Sequence, residues 1–326
     1  MDILNNAVIT YDCIKTSVDV TEKELSDFSV ERGDLLFQRS SETLEDVGRA
    51  NVYMDDKTAV FGGFVIRGKK KGEYEPQFFN YLLRSPFARK RIIPMGAGAQ
   101  HFNIGQEGLN KVKLHFATIE EQKKIGKFLS LLDERIATQN KIIDKLQSLI
   151  KGIAQNIACN NKPNVRLSDC LECSSSTLQE SDVNEHGIYP VYGANGIVGY
   201  LDNYNTEGEA VYIIKDGSGV GTVSYVMGKC SATGTLNTLQ AKEGYSLQYI
   251  YYILKVFNFE PYKTGMAIPH IYFKDYGKGK VYCPSYTKQL QSARLLSAID
   301  NKLSVEKDIL TNLTLQKQYL LRQLFI

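Results

Sequence analysis

The sequence lacks a charge surplus of either sign. Its 326 residues carry 39 Lys+Arg against 36 Asp+Glu, a formal +3, which excludes a strongly basic, histone-like or ribosomal protein. Long apolar runs are missing too, since no stretch approaches the ~18–20 residues needed to cross a bilayer. Residues 1–10 have no basic flank and include Asp2, Asn5 and Asn6, so they do not read as a secretory signal. A cytoplasmic protein without membrane contact is expected. Cysteine is sparse: Cys13, Cys159, Cys170, Cys173, Cys230 and Cys283, of which only Cys170 and Cys173 form a C-x-x-C pair. With a second pair absent and His101, His115, His186 and His270 scattered, the four ligands of a structural zinc site are not assembled. No metal is expected, and the thiols read as buried groups in a reducing compartment.

Catalytic motifs are missing as well. The glycine-rich residues 216–222 (DGSGVGT) lack the G-x-x-x-x-G-K-[ST] order of a phosphate loop and lie between strand-like stretches. A tight hairpin, or a loop that approaches a ligand closely, is the better reading. Residues 258–262 (NFEPY) do not match the Asn/Asp-Pro-Pro-Tyr/Phe loop of an adenine methyltransferase, and 61–64 (FGGF) is too short to stand for a cofactor loop. Neither a metal-nuclease cluster nor a nucleophile elbow can be assembled with named roles. The chain is expected to catalyse nothing alone and to bind no cofactor itself.

What is present is an internal repeat. Residues 96–101 (GAGAQH), Lys111-Val112 and 132–136 (LDERI) recur 167 to 169 positions later as 265–270 (GMAIPH), Lys280-Val281 and 299–303 (IDNKL). Tyr74, Gln77, Tyr81 and Leu83 match Tyr245, Gln248, Tyr252 and Leu254, and 33–37 (GDLLF) resembles 208–212 (GEAVY). Each half is a globular region followed by a helix with hydrophobic steps of four and three, the seam of a coiled coil. In the first helix the seam is Ile125, Leu129, Leu132, Ile136, Gln139, Ile143, Leu146, Ile150, Ile153 and Ile157. In the second it is Ser292, Leu296, Ile299, Leu303, Glu306, Leu310, Leu313, Lys317, Leu320 and Leu324. The polar breaks Gln139 and Glu306 fall at equivalent positions, where they either fix register or are merely tolerated.

Four segments follow: a lobe over 1–117, a helix over 118–159, a lobe over 160–286 and a helix over 287–326. Pro163 ends the first helix, and pairing along the seams then requires an antiparallel helix pair, each helix roughly 60 Å long at 1.5 Å per residue. The expected fold class is α+β: two mixed α/β lobes joined by a long antiparallel two-helix coiled coil, a tandem pseudo-repeat. Within the lobes, 34–38, 59–67, 210–215 and 221–227 read as strands. Residues 76–83 and 247–256 read as helices.

Charge becomes informative when divided. The lobes are not basic in total, whereas 118–162 carry 8 basic against 5 acidic residues and 287–326 carry 6 against 3. The second lobe is polarised: one basic and eight acidic residues over 163–209, then eight basic and four acidic over 210–286. The first lobe has basic clusters at Lys69-Lys70-Lys71 and at Arg84, Arg89, Lys90 and Arg91. Such runs are usually solvated faces; interleaved tyrosines, phenylalanines and glycine-rich turns make DNA contact plausible.

This layout resembles the specificity (S) subunits of type I restriction-modification systems. The likeness is carried by the duplicated lobe-then-helix order, residues 118–136 (TIEEQKKIGKFLSLLDERI), 33–41 (GDLLFQRSS), 189–204 (YPVYGANGIVGYLDNY) and the two Gly-x-x-x-x-His elements. The resemblance implies target-recognition domains that each read one half of a bipartite double-stranded DNA sequence, with the helices setting the gap. It implies two methyltransferase (M) subunits bringing S-adenosylmethionine, and restriction/translocase (R) subunits bringing ATP hydrolysis and Mg²⁺-dependent cleavage. The expected DNA-contacting residues are Arg39, Ser40, Lys69, Lys70, Arg89, Lys90, Arg91 and His101 in the first lobe. In the second they are Tyr192, Asn195, Lys215, Ser218, Lys263 and His270. Arg and Asn can pair bidentately with guanine and adenine, while for His101 and His270 a repeated structural hydrogen bond within the lobe stands slightly ahead of DNA contact.

One feature departs from the family pattern. The second lobe opens with 165–169 (VRLSD), which looks like a first strand, and the first lobe shows no counterpart near 1–11. A clipped chain, a late start or a recombined locus would account for it, and the first recognition domain would then be silent. The rival reading is a coiled-coil scaffold that organises proteins rather than DNA.

Overall fold

The computed structural model describes residues 2–325; Met1 and Ile326, the outer ends of the first and last expected segments, lie outside them. The chain forms two compact units, one built from residues up to 141 with those from 308 onward, the other from residues 142–307. Both long helices are divided between the units, so each unit holds one lobe, part of the first helix and part of the last.

In the first unit, helices α1 (Asp2–Asn5) and α2 (Glu22–Phe28) precede strands β1 (Ser29–Val30), β2 (Leu35–Gln38), β3 (Ser40–Ser41), β4 (Ala50–Val52), β5 (Ala59–Val60) and β6 (Val65–Gly68). Helices α3 (Pro76–Arg84) and α4 (Pro86–Ile92), strand β7 (Phe102–Asn103) and helix α5 (Gln106–Lys111) follow. The main sheet is antiparallel with order β4-β2-β6, and β1 pairs β5 while β3 pairs β7. Alternation along β2 divides the core. Leu35 and Phe37 pack with Val47, Ala50, Leu83, Ala88, Ile92 and Ile104, whereas Leu36 joins Ile3, Ile9, Val30 and Tyr53. The single strand expected over 59–67 is broken into β5 and β6. Gly62 and Gly63 allow a turn closed by Val65 N–H donating to the Gly62 carbonyl at 3.0 Å.

Helix α3 starts where Glu75 accepts from the Gln77 N–H and Pro76 fills the first helical position. It stops at Ser85, whose hydroxyl caps α4 ahead of Pro86, a residue that cannot continue a helix. Helix α6 (Ile119–Cys159) runs past α3. Gln122, 2% exposed, accepts from the Glu75 N–H at 3.1 Å and donates to the Ala117 carbonyl at 2.8 Å. One turn on, a Cβ at Gly126 would stand 3.1 Å from the Phe78 nitrogen, so the missing side chain permits the close approach. The Tyr81 hydroxyl then donates to Asp133 at 2.8 Å, and Lys317 pairs with the same carboxylate. Leu320, Leu321, Leu324 and Phe325, at the end of the final helix, pack with Phe78, Leu82, Ile125 and Leu129 at the start of α6. Within this unit the two long helices are therefore antiparallel.

The second unit begins with β8 (Val165–Arg166), α7 (Leu167–Cys170), β9 (Leu171–Ser175), β10 (Tyr189–Gly193) and β11 (Gly196–Leu201). It continues with β12 (Glu209–Ile214), β13 (Val223–Met227), β14 (Ser231–Ala232), β15 (Leu236–Ala241), α8 (Leu247–Leu254), α9 (Phe273–Tyr276), β16 (Lys280–Val281) and α10 (Tyr286–Gln323). Its main sheet has order β13-β12-β15-β9, so β12 holds the place that β2 holds in the first lobe. Ala210 through Ile213 are fully buried on both faces, which is why that strand reads as a continuous apolar run. A second sheet, β11-β10-β14, has no counterpart among the described residues of the first lobe. Residues 216–222 form the hairpin between β12 and β13, with Gly217 and Gly221 at positive φ.

The helix anchors recur. Gln289, also 2% exposed, accepts from the Ser246 N–H at 2.9 Å and donates to the Pro284 carbonyl at 2.8 Å. Tyr252 donates to Asp300 at 3.3 Å, and buried Ala293 stands where Gly126 stands in α6. All twenty seam positions read from the sequence are buried or half-buried, and Glu306 is ion-paired to Lys302 at 2.5 Å. The thiols differ in placement: Cys170 is buried against Cys283, where their mutual hydrogen bond and burial raise its pKa, whereas Cys159 is exposed. No helix among the described residues is long and apolar enough to cross a membrane.

Replacing either anchor strands a buried N–H. Gln122→Ala and Gln289→Ala should each lower stability by about 1–3 kcal/mol, read as a fall in urea midpoint at unchanged slope; a loss within error would show that water replaces the amide.

Candidate nucleic-acid interface

Strand β2 ends at Gln38 and delivers Arg39 and Ser40 to the edge of the first lobe. Arg39 N–H donates to the Phe64 carbonyl at 2.8 Å and its carbonyl accepts from Ile104 N–H at 2.9 Å, which leaves the exposed guanidinium 3.4 Å from the Gly63 carbonyl. The Ser40 hydroxyl donates to Asn103 Oδ1 at 2.5 Å. Asn103 and Ala97 exchange backbone hydrogen bonds of 2.9 and 2.8 Å, closing a hairpin with His101 near its tip.

The second lobe repeats this frame at the end of β12. Lys215 N–H donates to the Thr235 carbonyl at 3.0 Å and its carbonyl accepts from Ile271 N–H at 2.9 Å. Asp216 Oδ1 lies 2.7 Å from His270 Nδ1, and His270 exchanges backbone bonds of 2.9 and 2.7 Å with Thr264. Arg39 therefore corresponds to Lys215, Ser40 to Asp216 and Asn103 to His270.

That register corrects the sequence match of the two Gly-x-x-x-x-His elements. Gly98 and Gly265 turn the hairpins at φ +142 and +89, and a Cβ on either would strike the carbonyl oxygen of His101 or Ile268 respectively. Equivalence follows the turning glycines, so His101 corresponds to Ile268 and not to His270. The coincidence of histidines lies two residues out of register.

The remaining expected residues fall into separate groups. Ser218 is exposed on the hairpin after Lys215, where Gly217 N–H donates to the Pro269 carbonyl at 2.9 Å. Thr233 N–H donates to the Tyr192 carbonyl at 2.9 Å, and the Thr233 and Thr235 hydroxyls pair at 2.8 Å, linking β10 to the strand end of Lys215. Tyr192 itself is half-buried against Tyr212, and burial raises its pKa, so it stays a neutral donor. Asn195 is exposed at the tip of the β10–β11 turn. Lys263, beside Thr264, is ion-paired to Glu260 at 2.6 Å.

Lys69 and Lys70 lie elsewhere. Antiparallel pairing sets Val65 beside Gln38 and Gly68 beside Leu35, so the lysines after β6 occupy the opposite end of the sheet from Arg39. Lys69 stands 3.9 Å from Glu31, and Lys70 is exposed. Arg89 points inward, donating to the Glu45 and Val47 carbonyls at 2.8 and 2.7 Å, and burial lowers its pKa. Lys90 is exposed, and Arg91 stacks on Phe87 at 3.7 Å.

Sequence reasoning missed Asn103, Asp216 and the apolar groups beside them: Phe64 is 78% exposed, Ile268 59% and Met266 fully. Anchoring the repeat on Gly98 and Gly265 would have exposed Asn103 as the counterpart of His270, whereas Asp216 emerges only from the folded frame that sets it against Ser40. Chemically each strand end combines one cation, polar groups held by backbone geometry, and bare apolar side chains. Arginine reads guanine or phosphate, a carboxylate accepts from the cytosine amino group, and apolar groups meet the thymine methyl. Among the described residues no group of three His, Cys, Asp or Glu could hold a metal ion.

A family model described as the type I restriction modification DNA specificity domain matches residues 1–148 and 161–315. A putative type I specificity subunit of Mycoplasma genitalium is 25% identical over 277 residues, 78% of this chain and 71% of that protein. A putative type I restriction enzyme specificity subunit of Methanocaldococcus jannaschii is 29% identical over 143 residues, 43% of this chain and only 33% of its own length. The crystal structure of a type I restriction-modification S subunit from M. genitalium shares the fold at TM-score 0.63 and 19% identity, covering 92% of this chain and 84% of that one. The chain belongs to the type I restriction-modification DNA specificity family, the non-catalytic subunits of those systems.

Proposed function

We propose that this chain reads a bipartite double-stranded DNA target, one half with the strand end at Arg39 and the other with the strand end at Lys215. The observation that carries this reading is one backbone frame bearing two chemistries: Arg39, Ser40 and Asn103 in the first lobe, Lys215, Asp216 and His270 in the second. A scaffold would have no need to vary side chains at a conserved geometry. Asp216 favours base reading over phosphate binding, since a carboxylate repels the backbone while accepting from cytosine. Exposed cations such as Lys70 and Lys90 add phosphate contacts that position the duplex.

Two methyltransferase subunits bind this chain and bring S-adenosylmethionine to the adenine, and restriction/translocase subunits bring ATP and Mg²⁺ for cleavage. Helices α6 and α10 set the unread gap between the half-sites. The duplicated anchors at Gln122 and Gln289 support two equivalent partner positions.

Co-expression with candidate methyltransferase subunits, followed by methylome sequencing, should reveal a two-part methylated motif, one half of which changes when one lobe is exchanged. Stable subunit binding without sequence-dependent methylation would leave the scaffold reading. Arg39→Ala should relax discrimination at one half-site by about 1–3 kcal/mol, whereas Lys70→Ala should weaken binding evenly and reduce the log–log salt slope by about 1. Equal loss across all sequences for both variants would remove Arg39 from base reading. Deleting one heptad from each of α6 and α10 should change the unread gap in the methylated motif; an unchanged gap would contradict a spacing role.

A further inference from the structure

At the second strand end, two hairpins are clamped so that one imidazole has little freedom. Asp216 and His270 form an antiparallel bridge, Gly217 N–H donates to the Pro269 carbonyl at 2.9 Å, and Thr264 and His270 exchange backbone bonds of 2.9 and 2.7 Å. The ring is held by neighbours as well. Tyr272 stacks near it, with ring centroids 6.5 Å apart and planes at 24°, and a Cβ at Gly265 would stand 3.1 Å from His270 Cδ2. Asp216 Oδ1 holds Nδ1 at 2.7 Å. Both side chains stay within reach of a ligand, His270 being 35% exposed and Asp216 36%.

The proton in that contact has one possible owner. An ionised carboxylate only accepts, so Nδ1 carries the hydrogen, and the neutral imidazole keeps an unshared pair on Nε2. Among the described residues neither Nε2 nor Asp216 Oδ2 makes a hydrogen bond. A brace for the hairpin would not need an imidazole, because backbone bonds from Gly217, Thr264 and Ile271 already fix it. The first lobe is built differently on the same frame: Ser40 donates to Asn103 Oδ1, and Asn103 Nδ2 donates to the His101 carbonyl at 3.4 Å, so both ends of the amide are engaged locally. A face of two acceptors beside a carboxylate repels phosphate. It complements an exocyclic amino group in the major groove, N4 of cytosine or N6 of adenine.

We propose that His270 Nε2 is the acceptor that reads the exocyclic amino group of a cytosine or adenine in the second half-site, with Asp216 as the positioning residue that fixes the imidazole in its Nδ1–H tautomer. This rests on the reading of the strand ends as base readers. Without Asp216 the ring is able to carry its proton on Nε2, which turns the acceptor into a donor suited to the O6 and N7 acceptors of guanine.

The test uses the full chain co-purified with methyltransferase subunits, and duplexes carrying the two-part motif found by methylome sequencing, with each base pair of the second half varied in turn. His270→Phe, which keeps a ring and removes the acceptor, should flatten discrimination at one base pair by roughly tenfold. His270→Gln, whose amide oxygen can stand in for Nε2, should restore most of it. At that base pair the cytosine or adenine is then replaced by the analogue bearing hydrogen in place of the amino group. This deletion should weaken binding of the unsubstituted protein by roughly tenfold more than that of His270→Phe, and the analogue that acts distinguishes cytosine from adenine. NMR of nitrogen-labelled histidines in the full chain at about pH 8, above the ordinary imidazole range, should show the Nδ1–H tautomer at His270, and Asp216→Ala should shift it towards Nε2–H. Full discrimination by His270→Phe at every second-half position, an Nε2–H imidazole in the unsubstituted chain, or an equal response of both proteins to amino deletion would each overturn the proposal while leaving the base-reading strand ends intact. A complex without sequence-dependent methylation would overturn that underlying reading, and this proposal with it.

Discussion

A primary amide buried at the start of each long helix governs where everything else can sit. Gln122 and Gln289 have both halves of the amide occupied: the oxygen takes the first free N–H of the lobe helix, and the nitrogen holds the carbonyl of the incoming chain. A buried amide tolerates few alternative geometries, because each lost bond leaves an unpaired group out of water. The approach angle of α3 on α6, and of α8 on α10, is thereby limited to one solution. The small residues Gly126 and Ala293 bring the helices close, and the Tyr81–Asp133 and Tyr252–Asp300 bonds fix them further along.

From that fixed helix the sheet follows. Helix α3 packs on β4, and α8 on β12 and β13, so the end of the central strand emerges at a determined place relative to the long helix. Backbone bonds then hold the returning hairpin against the strand end, through Ile104 with Arg39 and Ile271 with Lys215. Side chains at the strand end are released from structural duty by this backbone scaffold. They can change between lobes, as Ser40–Asn103 and Asp216–His270 do, without disturbing the frame.

Much of this frame was legible in the sequence because its anchors are periodic or chemically constrained. The helix seam recurs every three to four residues, and Tyr81 and Tyr252 recur with it, so the repeat and both long helices could be read directly. The site was less legible. Aligning the hairpins on histidine rested on a coincidence, whereas the constraint belongs to the turning glycines Gly98 and Gly265, where any side chain collides with a carbonyl. The placement of Lys69 and Lys70 was hidden for another reason: sequence proximity to a strand does not say which end of the sheet is meant, and antiparallel register sets these lysines at the end away from Arg39. The break of 59–67 into two strands depended on a glycine pair whose turn only the folded chain reveals.

The lobes also differ in how they are supported. Central strand β12 is sealed on both faces and flanked by three further strands, so the second lobe carries a sheet core of its own. Strand β2 is only half-buried at Leu35, Phe37 and Gln38, in a sheet of three short strands among the described residues. What compensates is the helical layer: Phe78, Tyr81 and Leu82 of α3 are buried against Leu129 and Phe325, each full burial contributing roughly 1.5–3 kcal/mol. The first lobe therefore depends on the closing turns of α10 for its order. Its strand end at Arg39 is held by backbone bonds to Phe64 and Ile104 in place of a sealed sheet.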